Sequence, residues 1–236
     1  MFQSIKGEYN LKAKDLWVLL TYILMQYSGV IGVRYLAKTN LYSNQPPSIA
    51  VKEAVGLWSC ISFIVGLIII LILLKTSVFD SWRKLDKPET LKVIRWSAMG
   101  YFLAMAIQLI CSMLIIWLFH VNHASENTEQ ILEIARLNPA FIIIPSLIAP
   151  ILEEIIFRKI LFGSLSKRLH VILAAVISSS IFAFMHGDLP FFLSYFGIGM
   201  LFCFLYKRTN TLLVPILTHM LMNSFVVIQQ LHLLNK

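Results

Sequence analysis

Three short stretches of this sequence set acid, base and amide side chains into apolar surroundings. ILEEIIFRKIL carries Glu153, Glu154, Arg158 and Lys159; SSSIFAFMHGD puts Phe182 and His186 four residues apart; PILTHMLMNS does the same with His219 and Asn223. A carboxylate, two imidazoles and a carboxamide are the groups that hydrolysis of an amide bond requires. One activates water, and the others donate to the oxyanion of the tetrahedral intermediate. Each would cost kilocalories in hydrocarbon unless paired or facing a polar cavity, so each is a functional hypothesis by default. Taken singly, His and Asn on an apolar helix serve equally well as interhelical hydrogen-bond glue. It is the combination on three apolar helices that points to chemistry.

Within the first stretch the charges divide. Glu154 and Arg158 are four apart on one helical face and can pair on their own helix. Lys159 can reach the interface by snorkelling. Glu153 points about 100° away from Glu154 and has no basic partner on its own helix, so another helix must receive it. Which of the two glutamates would carry a water stays open at this point.

The surrounding chain dictates how these groups are held. It has 236 residues, 58% hydrophobic and only 14% charged, with several runs near the twenty residues that cross a bilayer. The spans expected are Leu16–Leu36, Ala54–Leu74, Trp96–Val121, Ala140–Phe162, Val171–Leu189, Phe191–Tyr206 and Thr211–Leu234. The fold class is therefore all-α: a polytopic membrane bundle of about seven helices, in one membrane domain. Residues 1–137 carry no chemical motif, and 138–236 form the expected catalytic core. With the N-terminus cytoplasmic, fifteen Lys and Arg fall inside and five outside (Arg34, Lys38, Lys52, Arg136 and Lys236), the positive-inside pattern. Topology thus accounts for the net charge of +8 without nucleic acid, and the basic segment from Lys75 to Arg95 reads as a topology determinant touching anionic lipid. The first run is too long for a cleavable signal and lacks a small-x-small site. SENTEQILEIARLNP has the spacing of a short amphipathic helix on the outer surface.

Glu153 and His186 each lie about 16 residues from the turn near 169–170, roughly 24 Å, but His219 lies only about 10 residues, roughly 15 Å, from its own turn. The hairpin must protrude or the helices must tilt for the three to meet.

In this order and on separate apolar spans, EExxxR at Glu153, Glu154 and Arg158, FxxxH at Phe182 and His186, and HxxxN at His219 and Asn223 closely resemble the three motifs of the CPBP family. That family, the CAAX proteases and bacteriocin-processing enzymes also called Abi, consists of membrane-embedded endopeptidases. The resemblance covers Ile151 to about Val226. It implies Glu153 as general base, holding a water with His186, and His219 with Asn223 as oxyanion donors. Glu154 and Arg158 would shape the site together with Phe182, although the motif does not settle which of the adjacent glutamates is the base. One position departs from the common pattern: Lys159 stands where a Gly often follows the Arg. Family members include the eukaryotic enzyme that removes the last three residues of prenylated CAAX proteins, and bacterial proteins linked to bacteriocin maturation, immunity or peptide signalling. The implied setting is a bacterial plasma membrane. The implied substrate is a peptide or lipidated protein, with a bacteriocin or signalling-peptide precursor ahead of a prenylated chain.

Cofactor need is left as none or a divalent metal such as zinc. Glu153, His186 and His219 could supply three ligands, leaving a position for water, yet no HExxH fixes two ligands on one helix and a glutamate-activated water needs no metal. The sequence holds no GxSxG serine site and no aspartyl pair. Two other classes remain: a catalytically idle immunity or scaffold protein, and a transporter or proton relay, the latter disfavoured by the lack of an inverted repeat. The sequence is silent on oligomeric state. Several residues have plainer readings. Asp188 is expected as a solvated helix cap, and Ser178 to Ser180, Gly197 and Gly199 as small residues permitting close helix contact. Cys60, Cys111 and Cys203 read as buried small hydrophobes; His120, His123 and His232 as interfacial, and His170 as exposed.

Overall fold

The computed structural model describes residues 13–42, 44–74, 87–121 and 125–234. Lys6, Lys12, Lys75, Arg83, Lys84, His123 and Lys236 lie outside the described residues. Nine helices form the described chain: α1 Ala13–Tyr27, α2 Gly29–Ala37, α3 Pro47–Leu74, α4 Lys87–Phe119, α5 Glu126–Leu137, α6 Pro139–Leu165, α7 Val171–Met185, α8 Phe192–Thr209 and α9 Leu213–Leu234. No strand occurs among the described residues. Six stretches are long and apolar enough to cross a membrane, α1 and α2 counting together as one. Side chains such as Phe102, Leu109 and Trp117 of α4 point outward, as a lipid-facing surface requires. The chain is an integral membrane protein.

α6 is the central element. Of its apolar window 61% is buried, against 17–39% for the other spans. It is also irregular, with π turns over Ile144–Ile148 and Glu154–Phe162. The prolines explain part of this. The N–H of Ala149 bonds to Ile144 O in the π register, and the next donor in that register would be Pro150 for Pro145 O. Proline has no N–H, so the ladder leaves the Pro145 carbonyl to another partner. A π turn also takes more residues than an α turn. Its helix therefore climbs less per residue, which shortens the rise between Glu153 and the 166–170 turn that straight-helix arithmetic overstated.

α7 ends earlier than expected. The spacing predicts Val171–Leu189, but the helix stops at Met185 because Gly187 takes φ +67°, a conformation that suits glycine. His186 thereby sits at the helix end rather than inside a span. Asp188 is not a solvated cap: it is only 5% exposed, makes no capping bond, and has no hydrogen bond on either oxygen among the described residues. The tight turn at Gly187 folds it back into the protein. The amphipathic helix forms as α5, capped by Ser125, whose Oγ accepts from Thr128 N at 3.3 Å. Its apolar face packs on protein, Ala135 joining Phe141 and Ile144 with Ile131, Ile134 and Cys60 around them.

Close contacts fix the helices that carry the motifs. α4 and α9 exchange hydrogen bonds, Thr218 Oγ1 to Ser97 O at 3.3 Å and Ser97 Oγ to Val214 O at 3.5 Å. Ser178 Oγ donates to Phe157 O at 2.8 Å, tying α7 to α6. α7 and α8 approach so closely at Gly199 that a Cβ there would lie 2.9 Å from Ser179 Cβ and 3.2 Å from its Cα. Gly199→Val is expected to destabilise the protein by about 1–3 kcal/mol through overpacking. A lowered unfolding midpoint in detergent would show it, and an unchanged midpoint would refute the close-approach reading.

Candidate active site

The three motifs converge at the centre of the bundle. Glu154 and Arg158 are both fully buried, with Arg158 Nε 3.2 Å from Glu154 Oε2. The other carboxylate oxygen, Oε1, lies 2.9 Å from Nδ1 of His219 on α9. A carboxylate paired with a guanidinium can only accept, so the Nδ1 proton is assigned to His219. Glu154 thus binds α6 to itself and to α9, and His219 is left with Nε2 as its functional nitrogen.

Aromatic rings complete the cage. Arg158 Cζ stands 4.3 Å from the Phe182 ring centroid and 5.0 Å from that of Phe202, cation–π contacts that count for more in a dry site. Nη2 also reaches Gly199 O at 3.5 Å. Phe182 meets both histidines as well as Arg158: its centroid is 4.6 Å from His186 and 6.1 Å from His219, and Phe202 lies 4.8 Å from His219. Burying a charged pair costs several kilocalories unless such contacts compensate.

Glu153 is different. Its side chain is 16% exposed, and Oε2 lies 3.8 Å from His219 Nε2. It lines a cavity of about 470 Å³ together with Phe182, His186, His219 and Asn223. Glu154 does not line it. Helix geometry thus sends one glutamate inward to Arg158 and the other to the cavity, as the 100° offset of adjacent residues predicts.

His186 and Asn223 are held by backbone. His186 Nδ1 bonds to Phe182 O at 2.8 Å, so as a neutral ring it keeps Nε2 as an acceptor. Asn223 Nδ2 donates to Pro145 O at 2.8 Å, the carbonyl that the Pro145–Pro150 spacing frees. One Asn223 N–H and its carbonyl remain. The His186 ring stacks on Tyr195 of α8, with centroids 4.0 Å apart and planes at 26°. Tyr195 is anchored in turn by Ser125 Oγ at 3.1 Å and by Asn127 Nδ2 at 3.2 Å, both from the start of α5.

Sequence reasoning missed Tyr195, Ser125 and Asn127, and it missed that the motif-free half of the chain reaches the cavity through Tyr22, Ser59 and Gln108. A polar residue inside an apolar run was the available signal for Gln108, and the five-residue proline spacing for Pro145. Nothing local marks Tyr195. Among the described residues, no three His, Cys, Asp or Glu side chains are grouped closely enough to hold an ion as they stand.

A family model described as "Type II CAAX prenyl endopeptidase Rce1-like" matches residues 135–225, the region holding every one of these motif residues. The chain is 42% identical over 219 residues to "Putative membrane peptidase YdiL" of Bacillus subtilis (strain 168), covering 92% of this chain and 90% of that one. It is 34% identical over 224 residues to "Membrane-embedded CAAX protease MroQ" of Staphylococcus aureus (strain USA300), covering 92% and 89%. No solved structure gives a significant match. A polytopic helical bundle with these relatives is a membrane protease by class. The chain belongs to the Rce1-like family of CAAX endopeptidases, the CPBP family that its three motifs resemble.

The buried pair can be tested on its own. Arg158→Met should destabilise by about 3–5 kcal/mol, because Glu154 is left buried without its counterion, whereas Glu154→Gln with Arg158→Met should regain most of that loss. Unfolding midpoints of the two variants give the answer, and equal losses would contradict the pairing.

Proposed function

We propose that the chain is an intramembrane endopeptidase in which Glu153 activates water and the imidazoles and carboxamide around it handle the rest of the reaction. The observation that carries this reading is the division of labour between adjacent glutamates. Glu154 is committed to Arg158 and His219, while Glu153 faces the cavity 3.8 Å from His219 Nε2.

A water at this position donates one proton towards Glu153 and the other towards His186 Nε2, leaving a lone pair for the peptide carbonyl. Attack forms the C–O bond, and Glu153 takes the water proton. Negative charge then develops on the carbonyl oxygen, where the remaining Asn223 N–H and, once it carries a proton, His219 Nε2 donate to it. Collapse breaks the C–N bond, and Glu153 returns its proton to the leaving amine. Glu154 and Arg158 orient His219 and take no proton. The reaction balances without a metal, and we place it in that class.

For substrate, the names of the relatives support a peptide or lipidated protein. A bacteriocin or signalling-peptide precursor in a bacterial plasma membrane, with the N-terminus cytoplasmic, is the form proposed.

Glu153→Gln is expected to lower turnover by about 10²–10⁴-fold with folding intact, and Asn223→Ala by about 10²–10³-fold. Peptides in the medium and membranes of cells lacking the protein should change in the same way in cells carrying Glu153→Gln. If that variant behaves as wild type and the purified protein cleaves nothing, an idle immunity or scaffold role replaces the protease. Activity should also survive exhaustive chelation, with no stoichiometric metal in the pure protein; a required metal would overturn the glutamate-only chemistry.

A further inference from the structure

The wall of the cavity away from the motifs carries four carboxamides among apolar and hydroxyl side chains. Gln26 of α1, Gln108 of α4, Asn127 of α5 and Gln230 of α9 face the same space as Glu153 and His219. Three of these come from helices whose other surfaces are apolar, and an amide in a membrane span is costly unless its N–H and C=O find partners. Gln26 Nε2 donates to Tyr22 Oη at 3.0 Å and Asn127 Nδ2 to Tyr195 Oη at 3.2 Å, and among the described residues neither side-chain carbonyl oxygen takes a hydrogen bond. No protein hydrogen bond engages the Gln108 or Gln230 side chain among the described residues.

A primary carboxamide carries one strong acceptor and two donors, the complement of a peptide unit. An extended peptide presents N–H and C=O groups that helix formation would otherwise satisfy, and inside a membrane these must be met by the host. The charge of the lining agrees. Among the described residues it includes no Lys or Arg, and its one carboxylate is Glu153. A free C-terminal carboxylate beside the scissile bond would meet the like charge of Glu153 and no Lys or Arg among the described lining residues.

Resting on the endopeptidase reading, we infer that Gln26, Gln108, Asn127 and Gln230 bind the main chain of an extended, internal peptide segment, so that the bond cut has peptide on both sides. The wall therefore disfavours a free carboxylate directly beside the bond that is cut. The same amides could instead serve only to wet the cavity, and kinetics separate the two uses. Substrate-binding groups act on KM, and water-supplying groups act on kcat.

The probes are two mixtures of short apolar peptides, both N-acetylated, one C-amidated and one with free C-termini, offered to the full-length protein in lipid nanodiscs and read by mass spectrometry. Wild type should cut internal bonds in both mixtures. For a peptide so identified, truncation that brings the free carboxylate next to the scissile bond should lower kcat/KM about tenfold, and amidation of the truncated form should restore much of it. Gln108→Leu and Gln230→Leu, which preserve the apolar character of their helices, should each raise KM about fivefold with kcat little changed, the scale of one hydrogen bond. Unfolding midpoints confirm that both variants fold. A preference for the free carboxylate beside the cut, or a fall in kcat at constant KM, overturns the inference. If such cleavage still vanishes in Glu153→Gln, the protease reading survives that failure. If wild type cuts neither mixture, both fall together.

Discussion

Everything at the centre of this bundle depends on one buried ion pair. Glu154 and Arg158 lie one turn apart on α6, and neither touches solvent. Two unpaired charges at this depth would be expelled or neutralised. Paired, they leave one carboxylate oxygen to grip His219 on α9 and one guanidinium to lie among Phe182 and Phe202. Three helices are brought to a common level by contacts that start from a single pair. The pair also gives direction to what surrounds it, because a carboxylate that only accepts fixes the tautomer of the imidazole it holds.

The backbone of α6 complements this with an irregularity. Prolines at 145 and 150 leave a carbonyl without a ladder donor, and Asn223 from α9 supplies one. α9 is thus held to α6 twice, through a charged contact at His219 and through a neutral one a turn later. The free carbonyl of Pro145 and the second oxygen of Glu154 are the atoms of α6 that α9 uses. Regular helices would have met with apolar faces alone, and the position of α9 along α6 would have been loosely set.

Much of this was legible in the sequence, for reasons that can be named. Helix periodicity alone separates Glu153 from Glu154, and an i,i+4 acid–base pair in an apolar run points to self-compensation. The spans were legible because hydropathy operates over long windows. What escaped were features set by single residues in tertiary context. Gly187 shortened the fifth apolar helix, a turn that composition could not weigh against an otherwise continuous apolar run. Asp188 looked like a cap because aspartate prefers caps, but its burial depends on where the following segment folds. The π turns of α6 shortened a path that straight-helix arithmetic had made too long. Tyr195 was invisible, since its role needs a stack on His186 and an anchor from α5 that only the folded chain brings together.

The short α7 also changes the membrane around the protein. Fifteen residues give a rod of roughly 22 Å, while the hydrocarbon layer is about 30 Å thick. A bilayer meets so short a helix by thinning or by letting flanking groups reach the interface. Either response would bring water and headgroups nearer the end of α7 that carries His186 and so lower the barrier a polar reactant meets on this flank.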